Sequence, residues 1–197
     1  PWNEVAEMPS EMVGRKVILQ VDKEDAHPTD KVLEINNLEV LDDRKQVIVK
    51  GLTLEVRAGE ILGVAGVQGN GQREFVEALT GLRPIVSGSI RIAGEDTTHL
   101  TPRHITELDV AHIPEDREKH GLVMPYSVAD NLVLNRYYRT PFSRNAVLNR
   151  EQIAENGAKL VKEYDVRTPS IYTHAGNLSG GNKQKVLLAK WFAINPR

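Results

Sequence analysis

Residues 66–73 read GVQGNGQR, a spacing that can hold phosphate. Gly66, Gly69 and Gly71 lack side chains, so consecutive backbone N–H groups can curl around an anion at a helix start. A phosphate-binding loop reads G-x-x-x-x-G-K-[ST], with the lysine on the β- and γ-phosphates and the hydroxyl on Mg²⁺. Here Val67, Gln68 and Asn70 fill variable positions. Gln72 stands where the lysine belongs, and Arg73 where the hydroxyl belongs. Gln72 donates hydrogen bonds but carries no charge, and Arg73 cannot coordinate a cation. Such a loop can hold phosphate weakly without positioning Mg²⁺. A ligand-free strand–helix turn fits the same residues. A dinucleotide-binding loop fits poorly, because Glu74 occupies the place of its third glycine.

The elements around the loop supply the context such a motif needs. Glu60–Ala65 is a short apolar run that predicts a strand buried in a parallel sheet. Phe75, Val76, Leu79 and Leu82 recur at helical spacing behind the loop. Lys31–Asn37 and Gly51–Val56 alternate apolar and polar residues, as half-buried strands do. Ser89–Ile92 predicts another strand, and Val110–Ile113 an apolar strand stopped by Pro114. Thr101-Pro102 reads as a helix cap followed by proline at the first helical position. Ser127–Asn135 predicts a short helix. Asn149 through Gln152 resembles a capping box, opening a helix with Ile153, Leu160, Val161 and Tyr164 on one stripe. A last helix runs from about Ser179 to Ala193, with Val186, Leu187 and Trp191 as core positions. Residues 1–30 are polar and irregular and read as a linker.

Bulk properties narrow the function classes. The 197 residues are 40% apolar and 26% charged, an ordinary globular balance large enough for one domain with appendages. The net charge of −2 gives no basic field for nucleic acid. Cysteine is absent, so no disulfide framework or thiolate metal site forms. The longest apolar run, near Ile61–Val67, is far shorter than the ~20 residues a membrane-spanning helix needs. The N-terminus has no signal-peptide pattern, and its lack of an initiator methionine suggests a piece of a longer protein. The six histidines (27, 99, 104, 112, 120, 174) show no metal spacing.

Two further motifs carry chemistry. His112–Leu122 reads HIPEDREKHGL, and Asn177–Lys185 reads NLSGGNKQK at the start of the last helix. Glu115, Asp116 and Glu118 fit an acid/base cluster, but for Asp116 and Glu118 a solvated charged turn with Arg117 and Lys119 is the favoured reading. Ser179, Gly180 and Gly181 at a helix start are suited to an anion.

Taken in order, GVAGVQGNGQRE, PEDR-x-x-x-GL and LSGGNKQK resemble the ATP-binding-cassette ATPases. They are most similar to the second cassette of double-cassette subunits that energise bacterial importers of simple sugars and nucleosides. Residues 12–16, MVGRK, resemble the segment joining the two cassettes, so the resemblance covers almost the whole chain. It implies an α/β P-loop NTPase fold of the ABC type, with an antiparallel β subdomain from the early strands and a helical subdomain over about residues 121–180. The cassette would occupy residues 31–197, with a core sheet incomplete because the chain ends before the Walker B strand.

The resemblance also implies roles. Gly66 through Arg73 would be a degenerate P-loop, and Glu115 would take the Q-loop glutamine position. Leu178, Ser179, Gly180, Gly181 and Asn182 would form the signature, with Asn182 replacing its usual glutamine. In cassette dimers each ATP lies between one P-loop and the partner's signature, so this signature would serve ATP bound by the first cassette of the same polypeptide. Mg²⁺ is expected at that partner site alone, and no catalytic or metal residue is expected in this chain. Leu41–Val49 carries no aromatic ring where relatives stack adenine. Other implied partners are the transmembrane permease subunits and, indirectly, a solute-binding protein. The implied location is the cytoplasmic face of the bacterial membrane, with no nucleic-acid partner. At family level the activity is ATP hydrolysis coupled to import. This chain alone is expected to be inactive. A non-catalytic docking cassette is the alternative.

Overall fold

The computed structural model describes residues 25–196; most of the expected linker, MVGRK included, lies outside them. Alternation in the first half becomes sheet. Strand β1 (Lys31–Leu41) pairs antiparallel with β2 (Val47–Arg57) on one side and with β3 (Ile85–Ile92) on the other. A two-residue strand β4 (Glu95–Asp96) closes the order β2-β1-β3-β4. Ile35 sits at the centre of this sheet, opposite Leu54 on β2 and Ile90 on β3.

Helix α1 (Gln72–Leu79) lies on this sheet. Its Phe75 and Ala78 join Ile35, Leu38, Val40, Val49 and Ile90 in one buried cluster. Fully burying each large aliphatic side chain there contributes roughly 1.5–3 kcal/mol. The anticipated helical stripe is realised only in part. Phe75 is buried and Leu79 partly so, while Val76 faces solvent and the helix ends before the exposed Leu82.

The second half is helical. Helix α2 (Pro102–Glu107) starts at Thr101, whose hydroxyl accepts from the His104 amide, and carries proline in its first turn as expected. A π-turn follows (Arg117–Gly121), then α3 (Val128–Val133), a two-strand pair β5 (Ser143–Arg144) and β6 (Val147–Leu148), and α4 (Arg150–Glu163). Asn149 caps α4 through the Gln152 amide. Helix α5 (Gly180–Phe192) is capped by Ser179. Its Val186, Leu187 and Ala189 pack with Leu122, Val128, Leu132 and Leu160 in a second cluster, and Trp191 lies partly buried at its edge. Helix α4 approaches α3 at Gly157, where a Cβ would lie 3.0 Å from Ala129 Cβ.

Two expected strands are absent. Neither Glu60–Ala65 nor Val110–Ile113 is a strand, and no parallel pair exists among the described residues. Strand backbone needs a neighbouring ladder for its N–H and C=O groups. No described segment pairs with either run. Residues 61–70 are therefore exposed, Ile61 at 92%. No described helix is long and apolar enough to cross a membrane.

Candidate functional site

The glycine loop enters α1 as its spacing predicts. Gly69 and Gly71 adopt φ of 89° and 93°, left-handed values that a side chain would strain. Gly71 is the N-cap, and no side chain caps the helix. The Gln72 amide folds back over Gly66 and fills the place of a Cβ there. Gly66, Val67, Gln68, Gly69 and Asn70 are exposed.

Arg73 does not enter the loop. Its guanidinium bonds Asp43 at 2.6 Å and Glu74 at 3.1 Å, and lies 3.7 Å from Glu77. Arg83 bonds the same Asp43 at 2.8 Å and Glu77 at 2.7 Å, and donates to the Leu41 carbonyl at 3.0 Å. Hydrogen bonds from Arg83 and then Arg73 hold the Asp43 carboxyl below the usual carboxylate range. This five-membered ion network ties the β1–β2 turn to α1. Nothing in the sequence pattern points to Asp43, because its partners lie 30 and 40 residues away. No aromatic residue stands in that turn.

The other two motifs, far apart in the chain, come together. Asp116 accepts from the Glu118 and Lys119 amides at 3.0 Å each and shapes the π-turn. Glu118 then pairs with Lys183 of α5 at 2.7 Å, and Arg117 donates to Gln184 at 3.2 Å. Arg117 also crowds Gly180, where a Cβ would lie 3.1 Å from its guanidinium. Lys190 is nearly buried and donates to the Gly121 carbonyl at 2.6 Å. Burial lowers its pKa from the ordinary 10.5 to about 8. Burial first, then the charges of Lys190 and His120, lower that of His112. Glu115 is exposed and lines an open cleft of about 370 Å³ with Asp116, Arg117 and Glu118.

At the signature, Leu178 is buried and Ser179, Gly180 and Gly181 are exposed. Ser179 Oγ accepts from the Asn182 amide at 3.4 Å and from its Nδ2 at 3.0 Å. Asn182 Oδ1 accepts from the Arg167 amide at 2.8 Å, so this side chain fastens the helix start to the turn after α4. The histidines do not gather into one cluster among the described residues. No group of three or more metal-ligating side chains forms among the described residues, and five histidines are exposed while His112 is half-buried.

This geometry belongs to a known class. A nucleotide-free ATP-binding cassette from an ABC transporter superposes with a TM-score of 0.68 at 18% identity, over 85% of this chain and 66% of that one. The fold is thus an α/β ABC-type cassette with an antiparallel sheet and helical elements. Residues 49–197 match the family described as ABC transporter, and the chain belongs to that family. The guanosine import ATP-binding protein NupO of Bacillus subtilis (strain 168) is 47% identical over 96% of this chain and 37% of its own length. The nucleoside import ATP-binding protein NupA of Lactococcus lactis subsp. cremoris is 46% identical over 98% of this chain and 38% of its own. The ribose import ATP-binding protein RbsA of Bacillus subtilis is 35% identical over 97% and 37%. The chain spans a little over a third of the length of these curated relatives.

Proposed function

We propose that this chain is the second nucleotide-binding cassette of an ATP-driven importer subunit for a nucleoside or simple sugar. Residues 1–30 would join it to the first cassette and residues 31–197 form the cassette itself. The whole subunit would bind ATP, hydrolyse it, and sit at the cytoplasmic face of the membrane on permease subunits fed by a solute-binding protein. In this reading Ser179, Gly180 and Gly181 serve ATP held by the first cassette, which also holds the Mg²⁺. Gly66–Arg73 is a degenerate half-site with no catalytic role, and Glu115 occupies the Q-loop position.

The observation that carries the reading is an asymmetry. The start of α5 presents exposed glycines and a serine at the positive end of a helix, which favours an anion. At the glycine loop, by contrast, Gln72 supplies no charge and Arg73 is already bonded to carboxylates. The relatives' printed roles in guanosine, nucleoside and ribose import supply the substrate class.

The test is steady-state ATP turnover by the full-length subunit with Ser179→Ala and Gly181→Asp. If this signature stabilises transferring phosphate, kcat falls on the order of 10²-fold or more with folding intact. Unchanged turnover in both variants would refute the signature's role in turnover and favour the docking-cassette alternative.

A further inference from the structure

Arg73 is the one cation that the sequence places at the phosphate side of the glycine loop, and the structure shows where it is spent. Its Nη2 donates to Asp43 at 2.6 Å and to Glu74 at 3.1 Å, and its Nε reaches Glu74 at 3.3 Å. Asp43 stands at the β1–β2 turn, where Asp42 Oδ1 accepts from the Arg44 and Gln46 amides at 2.8 and 2.9 Å and fixes the backbone. The better-buried Arg83, anchored on Glu77 and the Leu41 carbonyl, holds the other oxygen of the same carboxylate. Asp43 is thus positioned independently of Arg73.

We propose that Asp43 is a specificity-determining residue of the loop: its carboxylate occupies the Arg73 guanidinium and keeps that cation from the phosphates of a nucleotide. The reasoning is competitive. A phosphate and a carboxylate recognise the same planar fork of donors. A nucleotide phosphate that engages Arg73 must therefore compete with Asp43 for its Nη2, while Glu74 keeps the Nε bond. Asp43 stays paired with Arg83 when displaced, so the exchange strands no charge. Arg73 and Asp43 are more than half exposed. Water screens the pair, so the competition amounts to about fivefold in affinity at most.

This inference rests on the reading that the loop is a degenerate nucleotide half-site. The experiment uses the full-length subunit in EDTA, photolabelled with 8-azido-ADP, with proteolysis and peptide mapping to assign label to each cassette and unlabelled ADP as competitor. Asp43→Asn, which keeps the shape and removes the charge, should lower the half-competing ADP concentration at this cassette about three- to fivefold. The other cassette's value should not move. Adding Arg73→Ala to Asp43→Asn should abolish the gain, because Asp43 acts through Arg73. An unmoved value in Asp43→Asn, or a gain that survives Arg73→Ala, overturns the inference while leaving the loop a nucleotide site. Label absent from this cassette in every variant refutes the half-site reading itself, and the inference with it. Thermal melts of each variant identify any that fails to fold. Asp43→Ser serves as the second neutral replacement.

Discussion

Lys190 offers the sharpest test of how the π-turn is joined to α5. Its side chain is nearly buried, and its ammonium reaches the Gly121 carbonyl at 2.6 Å. Burial is the cause that lowers its pKa from 10.5 to about 8. That depression corresponds to roughly 3 kcal/mol, at about 1.36 kcal/mol for each pH unit. The sign follows from proton counts. Below about pH 8 both the folded and unfolded chains hold the proton, so the cost of burying the charge is constant. Between about pH 8 and 10.5 the unfolded chain holds it and the folded one does not, so stability rises with pH. Above 10.5 both are neutral and the gain is complete. Lys190→Met removes this titration and leaves Gly121 O without its donor, a loss of about 1–3 kcal/mol. The two effects oppose each other at neutral pH, so the difference in slope is the informative quantity. Urea unfolding at pH 7.5, 9 and 10.5 should show the unsubstituted chain gaining roughly 3 kcal/mol over Lys190→Met across that range. Other lysines and tyrosines titrate equally in both proteins and cancel. Parallel stability curves would show that the ammonium is adequately solvated by its surroundings, and that its burial carries no such penalty.

Asn131 is fully buried and bonds the Val123 amide at 2.8 Å and the carbonyls of Val123, Tyr126 and Ser127. Asn131→Ala strands several of these groups and should cost about 3 kcal/mol or more, read by denaturant unfolding; a cost below about 1 kcal/mol would mean water replaces the amide. Gln72→Lys with Arg73→Ser should strengthen ADP binding at the loop by roughly 1.5–3 kcal/mol through a charge-assisted contact. Calorimetry on both versions decides, and equal binding would mean that the exposed backbone no longer cradles phosphate. The 197-residue chain alone should show no ATP turnover above buffer, because the loop supplies neither the lysine nor the hydroxyl that phosphoryl transfer uses. A steady-state assay with Mg-ATP measures this, and turnover that survives further purification would contradict it.

Elements stabilised by local chemistry were legible in the sequence. Thr101, Asn149 and Ser179 announce helix starts because a cap bonds its own helix, only three residues on. The alternation of β1 and β2 is legible because each strand shows one face to a core that the chain itself supplies. Glu60–Ala65 and Val110–Ile113 misled for the opposite reason. A continuous apolar run marks a strand only if other strands flank it, and among the described residues none does. Leu82 misled because the helical period was read past the point where the α1 backbone stops.

The candidate sites divide in the same way. Motif spacing located the glycine loop and the start of α5, since both depend on consecutive residues. It could not reveal that Lys183 reaches Glu118, or that Arg73 reaches Asp43, because those pairs are set by how the π-turn meets α5 and how the β1–β2 turn meets α1. Yet these long-range pairs set the charges around each helix start. At α5 the ion pair lies beside the exposed residues and leaves Ser179, Gly180 and Gly181 open at the positive end of the helix. At α1 the Arg73 guanidinium is held by Asp43 and Glu74. In the proposed reading, two helix starts with similar glycine content differ in anion affinity through partners 30 to 65 residues away. For that reason the variants that discriminate most sharply between them are Asp43→Asn and Ser179→Ala, one acting on a distant acid and one on the helix start itself.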